Sequence, residues 1–169
     1  ESRAAAVKVL AEATAHFGMG GMQQIVSGGQ YDHPSGIFYG GTGPVWSHRW
    51  LRGWAADALA EVTHLGVIDL HTGLGPWGHG ELIVHDRADS DGYARAAARW
   101  GAVHSMTDGE SVSAALSGDW LAAASGMLGN TEITSAALEF GTVDTVTVLQ
   151  ALRADAWLHA HGDPLGPDA

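Results

Sequence analysis

Cysteine is absent from this 169-residue sequence. That excludes a disulfide framework, a thiolate-held zinc site and a thiol nucleophile, although it does not by itself assign a compartment. Lysine occurs once, at Lys8, and Lys plus Arg total 8 against 19 Asp plus Glu, a formal net charge of −11. A nucleic-acid surface needs clustered cations to neutralise phosphates, so nucleic acid is not an expected partner. The same shortage disfavours an acidic membrane surface. No run approaches the roughly 18 apolar residues that a membrane-crossing helix needs. Residues 1–17 lack a basic start followed by an apolar core, so they do not read as a signal peptide, and a cytoplasmic setting is the working expectation. The chain opens on Glu1 rather than Met, which points to processing, trimming or a fragment.

Apolar residues make up 46% of the chain, enough to expect a folded domain rather than disorder. The length suits one domain spanning residues 1–169. Ten histidines in a chain without cysteine deserve tracking, because imidazole is the usual alternative metal ligand.

Periodicity predicts a helix over residues 3–17, on Val7, Leu10, Thr14 and Phe17, with Gly18 as its stop. A short strand is expected at 23–27. Residues 28–44 are rich in Gly, Tyr and Pro without a period, a long loop of the sort that is often functional. Ser47 reads as the N-cap of a helix running to about Val62. The apolar run 65–70 reads as a buried strand, followed by a Gly-rich loop over 72–80 and a strand at 81–85. Ser90 or Asp91 caps a helix to Trp100, and a strand follows near 102–106. A polar loop covers 107–118, then a short helix 120–128, a strand 133–140, and a helix from an Asp144 cap to His161, ended by Gly162 and Pro164. Strands alternating with helices predict an α/β fold with a mostly parallel or mixed sheet flanked by helices.

Two strand ends carry the chemistry. In the first, a buried strand runs through Ile68, Asp69 and Leu70 into His71, then opens into Thr72, Gly73, Leu74, Gly75 and Pro76. Ligands of open α/β sheets bind beyond the carboxyl ends of strands. Asp69 and His71 are two apart, so they share a side of the strand, and a carboxylate there can orient the imidazole by hydrogen bonding. The plainer reading is a strand-end histidine bonded within a turn. In the second, Glu139 interrupts the apolar strand Ala137, Leu138, Phe140. A partly desolvated glutamate suits general base and acid work; the plainer reading is an exposed glutamate or one paired with an arginine. Together, the two segments would offer a histidine and a carboxylate to one crevice. A zinc hydrolase needs such groups, one to help hold the metal and one to move the proton.

At these segments the sequence resembles a known group. The pieces are the stretch 29–41 from Gly29, Gln30, Tyr31, Asp32 and His33 to Tyr39, Gly40 and Gly41; Trp46, Ser47, His48 and Arg49; the stretch 68–80; Leu138 to Thr142; and the stretch 152–159 from Leu152 and Arg153 to His159. In that order they look like a family of uncharacterised bacterial proteins in the zinc carboxypeptidase clan, which also includes the succinylglutamate desuccinylases and aspartoacylases. The resemblance spans most of residues 27–161. It implies that His71, in Asp-Leu-His-Thr-Gly, matches the clan's last zinc ligand. It implies that Glu139, in Glu-Phe-Gly-Thr, matches the general base and acid, and that the cofactor is Zn²⁺. The clan's other two ligands come from a His-x-x-Glu motif. No such motif precedes residue 27, where His16 is followed by Met19 in the glutamate's place, and the clan's Asn-Arg pair is missing too. The resemblance therefore implies the later part of a catalytic domain, with its N-terminal portion missing.

Further candidates surround these two. Arg49, three residues before Arg52 on the expected helix, is a candidate clamp for a substrate carboxylate, against a solvated helix face. His79, between Gly78 and Gly80, is a candidate substrate contact or a loop-shaping residue. Tyr39 and Tyr31 are candidates for lining a pocket or for pinning the loop to the core. His159 and His161 suit a helix C-terminus, and Trp157 and Leu158 suit a core. The leading expectation is a zinc-dependent hydrolase of amide or peptide bonds, a metallocarboxypeptidase or an N-acyl-amino-acid deacylase, acting on a small peptide or acylated amino acid. The alternative is a non-catalytic domain that keeps the fold and binds a peptide or small acid.

Overall fold

The strands of this protein form one sheet, and two of them do most of the positioning. The computed structural model describes residues 3–162. Along the chain come α1 (Arg3–Ser27), α2 (Trp46–Ala58), β1 (His64–Gly73), β2 (Gly80–Val84), α3 (Asp91–Trp100), β3 (His104–Ser105), α4 (Trp120–Met127), β4 (Glu132–Gly141) and α5 (Thr145–His161). The sheet order is β1-β4-β2-β3. β1 and β4 run parallel in register over ten residues, His64 opposite Glu132 through Gly73 opposite Gly141. β2 is antiparallel to β4 and parallel to β3. The fold is therefore α/β with a mixed, mostly parallel sheet flanked by helices, as the alternating pattern predicts.

The core lies between the sheet and α3. Val84, Ala96, Val103 and Ala136 are buried together, with Leu82, Tyr93, Ala97 and Trp100 packed against them. Complete burial of a side chain the size of Val84 contributes about 1.5–3 kcal/mol. α3 starts where expected: the Ser90 side chain accepts the Tyr93 N–H, satisfying one of the helix's free donors. Tyr93 then reaches across and donates its hydroxyl to the Val103 carbonyl. A Cβ at Gly92 in this first turn would displace the Asp86 carboxylate.

Gly18 breaks the first helix as expected: its φ of 71° and ψ of 170° are not helical, and a second helical segment follows the kink and runs to Ser27, the two together making up α1. Three other expectations differ. The strand expected at 23–27 is helical. Ile25 and Val26 are too few to impose a strand beside the helix formers Met22, Gln23 and Gln24, and Gln23 and Gln24 also donate to the carbonyls of Val112 and Ala115. The second helix starts one residue before the expected Ser47 cap, with Val45 at the N-cap and no side-chain cap. It also ends at Ala58 rather than near Val62, because the backbone of 62–63 serves the sheet. The Val62 carbonyl accepts the Thr131 hydroxyl and the Thr63 carbonyl accepts the Glu132 N–H. The expected α5 is present, capped by Asp144 through the N–H groups of Val146 and Thr147. Its Gly162 terminus is described, whereas Pro164 lies outside the described residues.

Candidate functional site

Parallel pairing of β1 and β4 places His71 directly opposite Glu139. The two motifs then lock to each other through the backbone. Thr142 donates both its N–H and its hydroxyl to the Gly73 carbonyl, at 3.1 and 2.7 Å. Gly78 donates to the Gly141 carbonyl and Gly141 to the His79 carbonyl. Close approach explains the glycine at 141, where a Cβ would run into the Pro76 carbonyl and Gly75. Gly75, at φ 104°, supplies the left-handed turn between the two strand ends.

Four side chains from three elements form a connected chain at this point. The Trp120 indole N–H of α4 donates to Asp69 Oδ2 at 2.6 Å. The same oxygen lies 2.8 Å from His71 Nε2. His71 Nδ1 lies 3.5 Å from Glu139 Oε2, and Glu139 Oε1 accepts the Leu74 N–H at 3.0 Å. An ionised carboxylate only accepts hydrogen bonds, so the short Asp69 contact places a proton on His71 Nε2. In the neutral ring this leaves the Nδ1 lone pair facing Glu139. Two electron-rich atoms then face each other, an arrangement that a proton or a metal cation between or beside them relieves. Glu139 is the most sheltered of the three ionisable side chains, at 12% exposure against 25% for Asp69 and 47% for His71.

These residues open onto a cavity of about 260 Å³, whose walls include Ile83, Met106, Leu116, Trp120, Leu121 and Ala137. His85 and Asp119 also line it, with His85 Nδ1 3.6 Å from Asp119 Oδ2. No Lys or Arg is among its described lining residues. Sequence reasoning did not single out Trp120, His85, Asp119 or Glu81. The period of two on β2 holds a signal for the last. Glu81 is the antiparallel register partner of Glu139, and its carboxylate accepts the Val112 N–H. It thereby ties down the loop whose Ser113 and Leu116 help enclose the cavity.

Of the residues expected here, the structure brings together Asp69, His71 and Glu139. Arg49, Tyr39 and His79 are not among the residues lining this cavity. Arg49 lies on α2, and Tyr39 forms an isolated bridge with Gln30 in the 28–44 loop. That loop is organised by Gln30, whose side chain bonds the backbone of Asp32 and His33. Tyr31 folds over Gly40, leaving no space there for a Cβ. The His79 backbone helps hold the loop, its N–H donating to the Pro76 carbonyl and its carbonyl accepting from Gly141. Trp157, expected in a core, is 61% exposed and stacks on His161.

Residues 1–167 match a family described as a protein of unknown function, DUF2817. The chain belongs to that family. No curated protein and no solved structure matches it.

Proposed function

We propose that this DUF2817 chain carries part of the active site of a zinc-dependent hydrolase of amide or peptide bonds. The supporting observation is the pairing of His71 with Glu139 across β1 and β4, with Asp69 on the far nitrogen of the imidazole. The resemblance of the two motifs to the zinc carboxypeptidase clan points the same way.

The donor chemistry of His71 fits zinc, since Asp69 occupies Nε2 and leaves Nδ1 for coordination, the arrangement common to ligand histidines. Among the described residues no group of three or more His, Asp or Glu is placed to hold an ion. His71 thus supplies one donor, and the reading requires the rest of a three-residue set from outside the described residues. A bound zinc would supply Lewis acidity and lower the pKa of water. Glu139 would take the proton released at the nucleophile and hand it to the leaving amine through Oε2, the oxygen beside His71 Nδ1, while Oε1 is held by the Leu74 N–H. The apolar cavity beside it would exclude water from that transfer and take an apolar part of a peptide or acylated amino acid.

The natural full-length protein provides the test. Zinc content near one per chain, lost in His71→Ala, together with zinc-dependent release of an amine from acylated amino acids or short peptides, is the expected outcome. Glu139→Gln should keep the zinc and lose the hydrolysis. Wild-type hydrolysis rates in Glu139→Gln would end the assignment, and binding of peptides without zinc or turnover would favour a non-catalytic domain.

A further inference from the structure

We infer that Trp120 is a positioning residue for this site, acting through Asp69 on the tautomer and direction of His71. The inference rests on the reading of His71 and Glu139 as the hydrolytic pair, but its readout does not require turnover. Asp69 stands on β1, an edge strand of the sheet, and is a quarter exposed. A carboxylate in that position has water as an alternative partner and a free choice of rotamer. On β1 its described partner is His71 itself, the group to be positioned. The restraint comes from α4, 51 residues away in sequence, where the Trp120 N–H reaches Asp69 Oδ2 at 2.6 Å. That oxygen is the same one that receives His71 Nε2. A hydrogen bond to a charged acceptor is stronger than one between neutral groups. Here it is directional as well, because the indole offers a single donor.

Trp120 is anchored at its base by the start of α4, while the residue is 37% exposed. It opens α4 immediately after the Asp119 N-cap, whose side chain accepts the Ala122 N–H, and its ring forms part of the cavity wall. α4 packs against β4, the strand that carries Glu139. One indole therefore refers the orientation of His71 to the helix that lies on Glu139's own strand. Without the N–H, Asp69 can turn toward solvent, His71 Nε2 loses its fixed acceptor, and the ring is free to carry its proton on Nδ1, the atom that faces Glu139.

The test is the tautomer of His71 in the metal-free protein, read from long-range ¹⁵N–¹H NMR spectra at a pH where the ring is neutral. Trp120→Phe keeps an aromatic wall and removes the donor. The wild type should show the Nε2–H form in excess. Trp120→Phe should lower the ratio of Nε2–H to Nδ1–H forms about fivefold, the population equivalent of one ordinary hydrogen bond, with the ring signals of His64 and His159, which do not line the cavity, unmoved. An unchanged ratio in a folded Trp120→Phe protein would overturn the inference. Should that variant fail to fold, Asp69→Asn examines the same link from the other side. The indole N–H resonance of Trp120 should then move upfield and exchange faster, the other tryptophans staying in place, and an unmoved Trp120 resonance would also overturn it. If the tautomer responds but the full-length protein hydrolyses nothing, the positioning role stands and the hydrolase reading fails.

Discussion

On the face of the sheet that carries α3, β4 and β2 contribute Ala136 and Val84 to a dry core with Ala96 and Val103. On the other face, the residues next to Ala136 and beyond line a cavity: Ser135, Ala137 and Glu139 from β4, with Asp69 and His71 from β1. The two faces are built from alternate residues of the same strands, as the period of two requires. The apolar face is closed by a helix and specifies packing. The other face is covered by α4 and the 113–116 loop around a cavity, and holds ionisable groups whose partners come from α4 and from the loop after β1. Covering is uneven even on the α3 side: Gly66 of β1 lies near Trp100, while Ile68 and Leu70, which share its face by alternation, are 46% and 72% exposed. Core and site can therefore be perturbed separately, although a single residue step divides them.

The largest expected effect is on the cavity side. Glu139→Gln should lower hydrolysis by the full-length protein by about 10²–10⁴-fold, the usual contribution of a positioned general base or acid, while its thermal unfolding stays close to wild type. Steady-state kinetics beside calorimetry would show whether the two effects separate. The converse substitution lies three residues earlier. Ala136 is fully buried, and Ala136→Leu should cost about 1–3 kcal/mol through overpacking, read as a lower denaturant midpoint. A comparable loss of stability in both variants would break the division between the faces.

Helix caps sharpen the comparison on a smaller scale. Ser90→Ala removes the N-cap of the helix that closes the core, and should cost about 1 kcal/mol of global stability in denaturant titrations. Asp144 caps α5, which buries no residue fully, so Asp144→Ala should be felt as local fraying, seen in faster amide exchange at Val146 and Thr147. The Thr147 hydroxyl and N–H, followed by the Val146 N–H, hold the Asp144 carboxyl below its ordinary value of 3.8. A carboxyl with a depressed folded pKa adds stability above its unfolded value and loses it as pH falls through the folded one. The Asp144 contribution should therefore be complete at neutral pH and disappear only below about pH 4. Exchange protection at the start of α5 followed down that range, against Asp144→Asn, would check the sign.

Much of this arrangement is legible in the residues. The caps at Ser90 and Asp144 are local hydrogen bonds, and local rules find them. β1 and β4 announce themselves as apolar runs interrupted by a polar residue, and that interruption marks Glu139. Failures cluster where local preference is weak. At 23–27 a short apolar pair suggests a strand while Met22, Gln23 and Gln24 favour a helix, and the helix prevails. Residue type and nearness to a glycine-rich loop single out Arg49, Tyr39 and His79, and these signals carry no information on which cavity wall a side chain meets; none of the three lines the cavity beside Glu139. Trp120 was passed over because an aromatic residue opening a short apolar helix looks like core, and its one donor becomes meaningful only beside Asp69.

Taken alone, the sequence determined the α/β class, the alternation that puts Asp69 and His71 on one side of their strand, and the presence of a glutamate near the end of another. These follow from backbone geometry and solvation, which act over a few residues. Tertiary structure alone decided that β1 pairs with β4 rather than β2, so that His71 meets Glu139 in register. It also decided that an indole from α4 fixes Asp69 and that Glu81 falls on Glu139's other side. Strand order and long-range hydrogen bonds depend on contacts between segments tens of residues apart, and those form only when the whole sheet closes on its core.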